Sequence, residues 1–286
     1  MESYERMMEQ DSELTNEILA LAAQPDHKIE LAQAALTIAR LEYPNLDVSA
    51  YLERLDGLAA KLKSRIGETA TAEREIDEMN RLLFQEEGFR GNSSGYYDPR
   101  NSFLNQVLDR KLGIPITLSI VYIGVGRRAG LPLYGIGFPG HFLTGLLKDK
   151  GRIVIDTFNK GRILSEDDCR TMFQIQYGGT HTFTQRFLDP AWPRQILVRL
   201  LRNLKSIYWR QSQEAMALQT IEWILILDPI SALEVKQRGL IREATGDIHG
   251  AITDLQKYLT LTGSADDRET VEDKIEQLKK TEVMVH

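Results

Sequence analysis

The 286-residue chain has one cysteine, Cys169, which excludes an intramolecular disulfide and a cysteine-built zinc site. It has no uninterrupted run near the roughly 20 apolar residues that cross a bilayer. The longest candidate, Ile114 to Val125, is too short and is broken by Thr117 and Ser119. There is no glycine-rich phosphate loop between a strand and a helix pattern. The five histidines show no metal-ligand spacing, so neither a metal nor a cofactor is expected. Positive charge is in deficit: 35 basic against 41 acidic residues give −6, a field that favours neither nucleic acid nor anionic membranes. The first residues, MESYERMMEQDSE, are acidic and polar, without the basic start and apolar core of a signal peptide. A reducing, aqueous location is expected, most simply the cytoplasm.

What is present is an ordinary globular composition, 42% hydrophobic and 27% charged, long enough for one large or two ordinary cores. Residues 1–90 read as packing helices. Asp26 is expected to cap a helix carrying Ile29, Ala32, Leu36 and Ala39, and Asp47 a better one, where Val48, Tyr51, Leu52, Leu55, Leu58, Ala59 and Leu62 make an i, i+3, i+4 stripe up to Gly67. A third runs from about Thr71 to Gln85. After the polar loop Gly91–Gly95, Asn101 to Gly113 reads as another helix.

The segment Ile116–Val125 is apolar on nearly every side, which requires burial all round as a central element of the fold. Pro115 suits its first turn, and Arg127 and Arg128 suit its C-terminal end. Strand patterns follow at Leu133–Phe138, His141–Leu147 and Arg152–Asp156, with a hairpin turn at Asp149-Lys150-Gly151. Ser165 and Asp168 form a capping box ahead of a short helix holding Cys169. The fold class is therefore α+β, a buried helix against an antiparallel sheet.

From about Arg194 the chain is helical again. Ala217 and Ala251 lie 34 residues apart, the tetratricopeptide (TPR) period. Leu201, Leu204, Tyr208, Ile221, Ile224 and Pro229 fall in the first-repeat register, and Gly239, Leu255 and Tyr258 in the second. The expected division is a first domain at residues 1–188, helical over residues 1–90 with its core at 91–188, then TPR-like helices at 189–286.

His141 opens one strand and Asp156 ends the next, nearly symmetric about the expected turn, so the spacing suits a cross-strand pair. A nucleophile at a helix N-terminus, a histidine on an adjacent strand and an acid orienting the imidazole make up the Cys-His-Asp logic of papain-like and transglutaminase-like folds.

Tyr97-Asp-Pro-Arg-Asn-Ser-Phe-Leu-Asn105, Leu108-Asp-Arg-Lys-Leu-Gly-Ile-Pro-Ile116, Gly126-Arg-Arg-Ala-Gly-Leu-Pro132 and Gly137-Phe-Pro-Gly-His-Phe142 together resemble the SirB-type family. Glu42-Tyr-Pro-Asn-Leu-Asp47 and Ile155-Asp-Thr-Phe158 extend the match over most of the chain. The resemblance implies a transglutaminase-like core followed by TPR repeats. It implies that His141 and Asp156 match the histidine and aspartate of the triad, and that Pro115 stands near the cysteine slot. Thr117 and Ser119 are the nearest hydroxyls, far harder to ionise than a thiol. Arg100, Asn101 and Asn105 are weaker candidates for lining a polar cleft. Two main functions stay open: a non-catalytic adaptor or regulator that binds a protein or peptide, and a hydrolase or acyltransferase with a hydroxyl nucleophile. A third is a small-ligand regulator.

Overall fold

The computed structural model describes residues 2–67, 70–148, 151–179, 181–263 and 266–285. The chain forms two compact units, Met1–Leu200 and Leu201–His286.

The first unit begins with helices α1 (Glu2–Ala23), α2 (Leu31–Ala39), α3 (Val48–Lys63) and α4 (Ala72–Asn80). Asp47 caps α3 through its side-chain oxygen, as the sequence leads one to expect, and Thr71 does the same for α4. The cap of α2 is Glu30, whose carboxylate accepts the amides of Ala32 and Gln33. Asp26 instead starts a short 3₁₀ turn and accepts the amide of Arg194, 2.9 Å away. The expected continuous third helix changes to a π-helical turn at Arg81–Glu86. The expected helix to Gly113 is shorter too: α5 (Leu104–Arg110) ends at Lys111, which is left-handed with φ 58°. Leu112–Gly113 then becomes a short strand, β2, parallel to β1 (Arg90–Gly91).

Helix α6 (Pro115–Arg128) is the expected central element, buried from Pro115 through Gly126. Behind it the antiparallel strands β3 (Leu133–Ile136), β4 (Leu143–Lys148), β5 (Gly151–Asp156), β6 (Arg162–Leu164) and β7 (Pro190–Ala191) form one sheet in the order β6-β5-β4-β3-β7. Asp149 and Lys150 of the expected hairpin turn lie outside the described residues. Because side chains alternate across a strand, the sheet has two distinct faces. Leu133 meets α6 at Gly126 on one face. On the other, Ile136, Leu143, Val154 and Leu164 pack with Cys169 and Phe173 of α7 (Glu166–Tyr177), whose Ser165–Asp168 capping box forms as expected.

Helix α8 (Pro193–Arg210) contains the division between the units. The second unit continues with α9 (Glu214–Leu227), α10 (Ala232–Ala244), α11 (Ile248–Thr262) and α12 (Arg268–Val285). Ala217 and Ala251 are completely buried, as the 34-residue register requires where helices approach closely. Gly239 belongs to the same contact: a Cβ there would sit 3.1 Å from the Asp254 Cβ and 3.3 Å from the Ala251 carbonyl. Among the described residues of this unit two acids are fully or almost fully buried, and both are matched. Glu234 meets Arg202 and Lys205, and Asp254 meets Arg238 and Arg242.

Candidate functional site

The site grows out of two chain reversals at one end of the sheet. Ahead of β4, His141 donates its amide to the Phe138 carbonyl and so closes a turn. Gly140 occupies the left-handed region of that turn, φ 68°, which favours glycine, and a Cβ there would press on the Gln176 side chain. His141 thus precedes the strand, two residues before the start of β4 at Leu143. Asp156, the last residue of β5, turns its carboxylate back on its own backbone. Its Oδ1 accepts the amides of Phe158 (3.1 Å) and Asn159 (3.3 Å), and its Oδ2 accepts the Asn159 side-chain amide at 2.7 Å.

Oδ1 also meets His141 Nε2 at 3.0 Å. The Asp156 side chain is 3% exposed and that of His141 16%. Burial works to raise the Asp156 carboxyl. The hydrogen bond and charge of His141, with the Asn159 donors, more than offset it and hold the group below the ordinary carboxylate value. A carboxylate only accepts, so Nε2 carries the proton and a neutral imidazole keeps its lone pair on Nδ1. Among the described residues Nδ1 has no hydrogen-bond partner.

Neither hydroxyl is bonded to that nitrogen. Ser119, one turn inside α6 and fully buried, shares a 2.9 Å hydrogen bond with Thr157. Thr117 donates to the Asn101 carbonyl at 2.7 Å and accepts the Ile114 amide at 3.1 Å, serving as a cap for α6. Pro115 opens α6 as its first residue. Cys169 sits in the apolar cluster beneath the sheet, completely buried. Burial, reinforced by Asp168 and Glu166, pushes its thiol up to about 11.

Two of the three cleft candidates, Asn101 and Arg100, turn to local bracing. Asn101, fully buried, donates to the Gly95 and Tyr96 carbonyls and so pins the preceding loop. Arg100 folds back on Asp98, 2.8 Å at the shorter ion-pair contact. Asn105 is buried, with its Oδ1 unpartnered among the described residues. The cleft in front of the His141–Asp156 pair is lined instead by Phe158, Asn159, Arg162, Leu164, Asp167, Asp168 and Met172, among others.

Sequence reasoning also passed over Arg199. Its guanidinium donates to the carbonyls of Phe138 (2.9 Å) and His141 (2.5 Å) and lies 5.5 Å from the centre of the Phe142 ring. It clasps both ends of the turn that delivers the histidine. Nothing around Arg199 in the chain announces this, because its partners are backbone carbonyls about sixty residues away. Asn159 carries a weak local signal, an Asp-x-x-Asn spacing at a strand end.

The second unit has its own groove, about 280 Å³, lined by Lys205, Ser206, Trp209, Ile221, Gln237, Leu240 and Ile241. Trp209 is 53% exposed. A half-exposed indole beside aliphatic side chains is the kind of surface on which binding energy concentrates.

Comparison with known proteins gives this geometry a family. Residues 49–202 match the model of the transglutaminase-like superfamily, and residues 204–276 match the tetratricopeptide repeat. A UPF0162 protein of Xylella fastidiosa (strain Temecula1) is 39% identical over 269 residues, 93% of this chain and 96% of that one. The UPF0162 protein YchA of Escherichia coli (strain K12) is 27% identical over 248 residues, 86% of this chain and 91% of that one. Human F-box only protein 21 is 30% identical over 199 residues, 67% of this chain but 29% of that protein. No solved structure matches the chain significantly. A core model covering more than half of the sequence and a relative aligned almost end to end leave one conclusion: this chain belongs to the transglutaminase-like superfamily, among the UPF0162 proteins, with a tetratricopeptide repeat region following its core.

Proposed function

We propose that this chain is a non-catalytic, cytoplasmic transglutaminase-like protein that binds a protein or peptide as an adaptor or regulator. The observation that carries the reading is the surroundings of His141. The imidazole is oriented by Asp156, yet the two hydroxyls near the nucleophile slot are committed elsewhere, Ser119 to Thr157 and Thr117 to Asn101 and Ile114. Covalent acyl transfer needs a nucleophile within about 2.6–3.2 Å of its base. Helical repeats supply recognition surfaces in general, and the groove at Trp209 supports that role for the second unit.

One observation favours a second reading, a hydrolase or acyltransferase: the His141–Asp156 pair is fully assembled. The two are separated by assaying peptide and glutamine-donor substrates with wild type, His141→Ala, Ser119→Ala and Thr117→Ala. The binding reading expects no turnover above the uncatalysed rate in any of them. Turnover in wild type that vanishes in His141→Ala and in one hydroxyl variant, with the fold intact, establishes the enzyme instead.

A further inference from the structure

The cleft before His141 and Asp156 has a volume of about 610 Å³. That is room for a short peptide segment rather than a single water-filled dimple. Its walls combine three chemistries. Phe158, Leu164 and Met172 supply apolar surface. Asp156, Asp167 and Asp168 supply three carboxylates against one guanidinium, Arg162. That guanidinium is already committed, lying 2.6 Å from Asp168, which also accepts the Ser165 hydroxyl at 2.6 Å. Asp167 is exposed and has no partner among the described residues. The other polar lining groups are Asn159, Ser165, Thr171 and His141, of which His141 faces Asp156 through Nε2 and has Nδ1 left over.

A surface with free acceptors, surplus negative charge and apolar walls complements a group made only of donors on an aliphatic stem. Among peptide side chains that describes arginine and lysine, whose stems lie along apolar surface while the head keeps its charge. We propose that the His141 cleft binds a basic side chain of a peptide, with the stem along Phe158, Leu164 and Met172 and with Asp167 and the His141 ring as acceptors for the head. The proposal rests on the reading of this chain as a peptide-binding protein and names the class of peptide.

The test uses the full chain and a fluorescein-labelled, end-capped hexapeptide alternating leucine and arginine, read by anisotropy. Its control carries citrulline for arginine, which keeps size and removes charge. The arginine peptide is expected to bind at least about tenfold tighter, and Asp167→Asn to cost about fivefold. Equal binding of the two peptides overturns the proposal while peptide binding itself stands. Unchanged affinity in the exposed Asp167→Asn refutes the site. Spermidine competing as well as the arginine peptide also overturns it, as a free-amine site. Mass spectrometry of the recovered peptide separates the two levels: a cleaved or modified peptide overturns the non-catalytic reading instead.

Discussion

The hydrogen bond between Ser119 and Thr157 joins the central helix to the residue after Asp156, and both side chains are fully buried. If the Ser119 hydroxyl is structural, removing it costs stability. Ser119→Ala leaves the Thr157 hydroxyl without its partner in a site water does not reach. An orphaned buried polar group costs about 1–3 kcal/mol, so a loss of about 2 kcal/mol is expected. For a unit of this size that is a fall of roughly 4–8 °C in melting temperature. Thr157→Val, which keeps the shape, costs about 1–2 kcal/mol by the same reasoning. The double variant leaves neither group unpaired, so its cost stays near that of either single change and the coupling is about 1–2 kcal/mol. The assay is denaturant unfolding of all four proteins followed by circular dichroism, with identical slopes as the check on comparability. Strict additivity refutes the bond. Unchanged stability in Ser119→Ala, together with lost turnover of a substrate, refutes the structural role and makes the hydroxyl a nucleophile.

Three further outcomes follow from the same geometry. The Asp156 carboxyl is lowered in the folded state, so its stabilising contribution is complete above the unfolded value, about 3.9, and is lost as pH falls through the folded value. Denaturation midpoints measured down to about pH 3 should show a shallower acid loss in Asp156→Asn than in wild type, and identical acid limbs would refute the assignment. Cys169, buried and with its thiol raised to about 11, should react with iodoacetamide in the native protein at least about a hundredfold more slowly than in denaturant. Rapid native labelling, read by intact mass, would put that thiol outside the apolar cluster. Gly239→Val drives carbon into Asp254 and the Ala251 carbonyl across the α10–α11 contact, and should cost about 1–3 kcal/mol in thermal unfolding. A neutral result would mean that the two helices do not meet there.

Two regions of this molecule were legible in the residues because the information is local and repeated. The segment at Ile116–Val125 has no polar face, and a helix without one has nowhere to go but the middle of the fold. The tail repeats a small residue at the spacing where two helices must touch, and both alanines are buried. The pairing of His141 with Asp156 was visible through family resemblance and hairpin spacing together, because two adjacent antiparallel strands leave little freedom in register.

Tertiary structure decided the rest, and for a consistent reason. Asp26 has the residue type of a helix cap, but the amide of Arg194 claims it, and Glu30 caps α2 instead. Leu112–Gly113 looks like the end of a helix until Arg90–Gly91 arrives beside it as a strand partner. Asn101 and Arg100 have the chemistry of a cleft and are used to brace a loop, while the cleft is walled by α7 and the end of β5. Arg199 reaches the turn of His141 through two backbone carbonyls, which no side-chain pattern encodes. Periodicity and capping act between neighbours in the chain and are written in the order of residues. Which donor finds which acceptor across sixty residues or more depends on packing that exists only once the chain has folded.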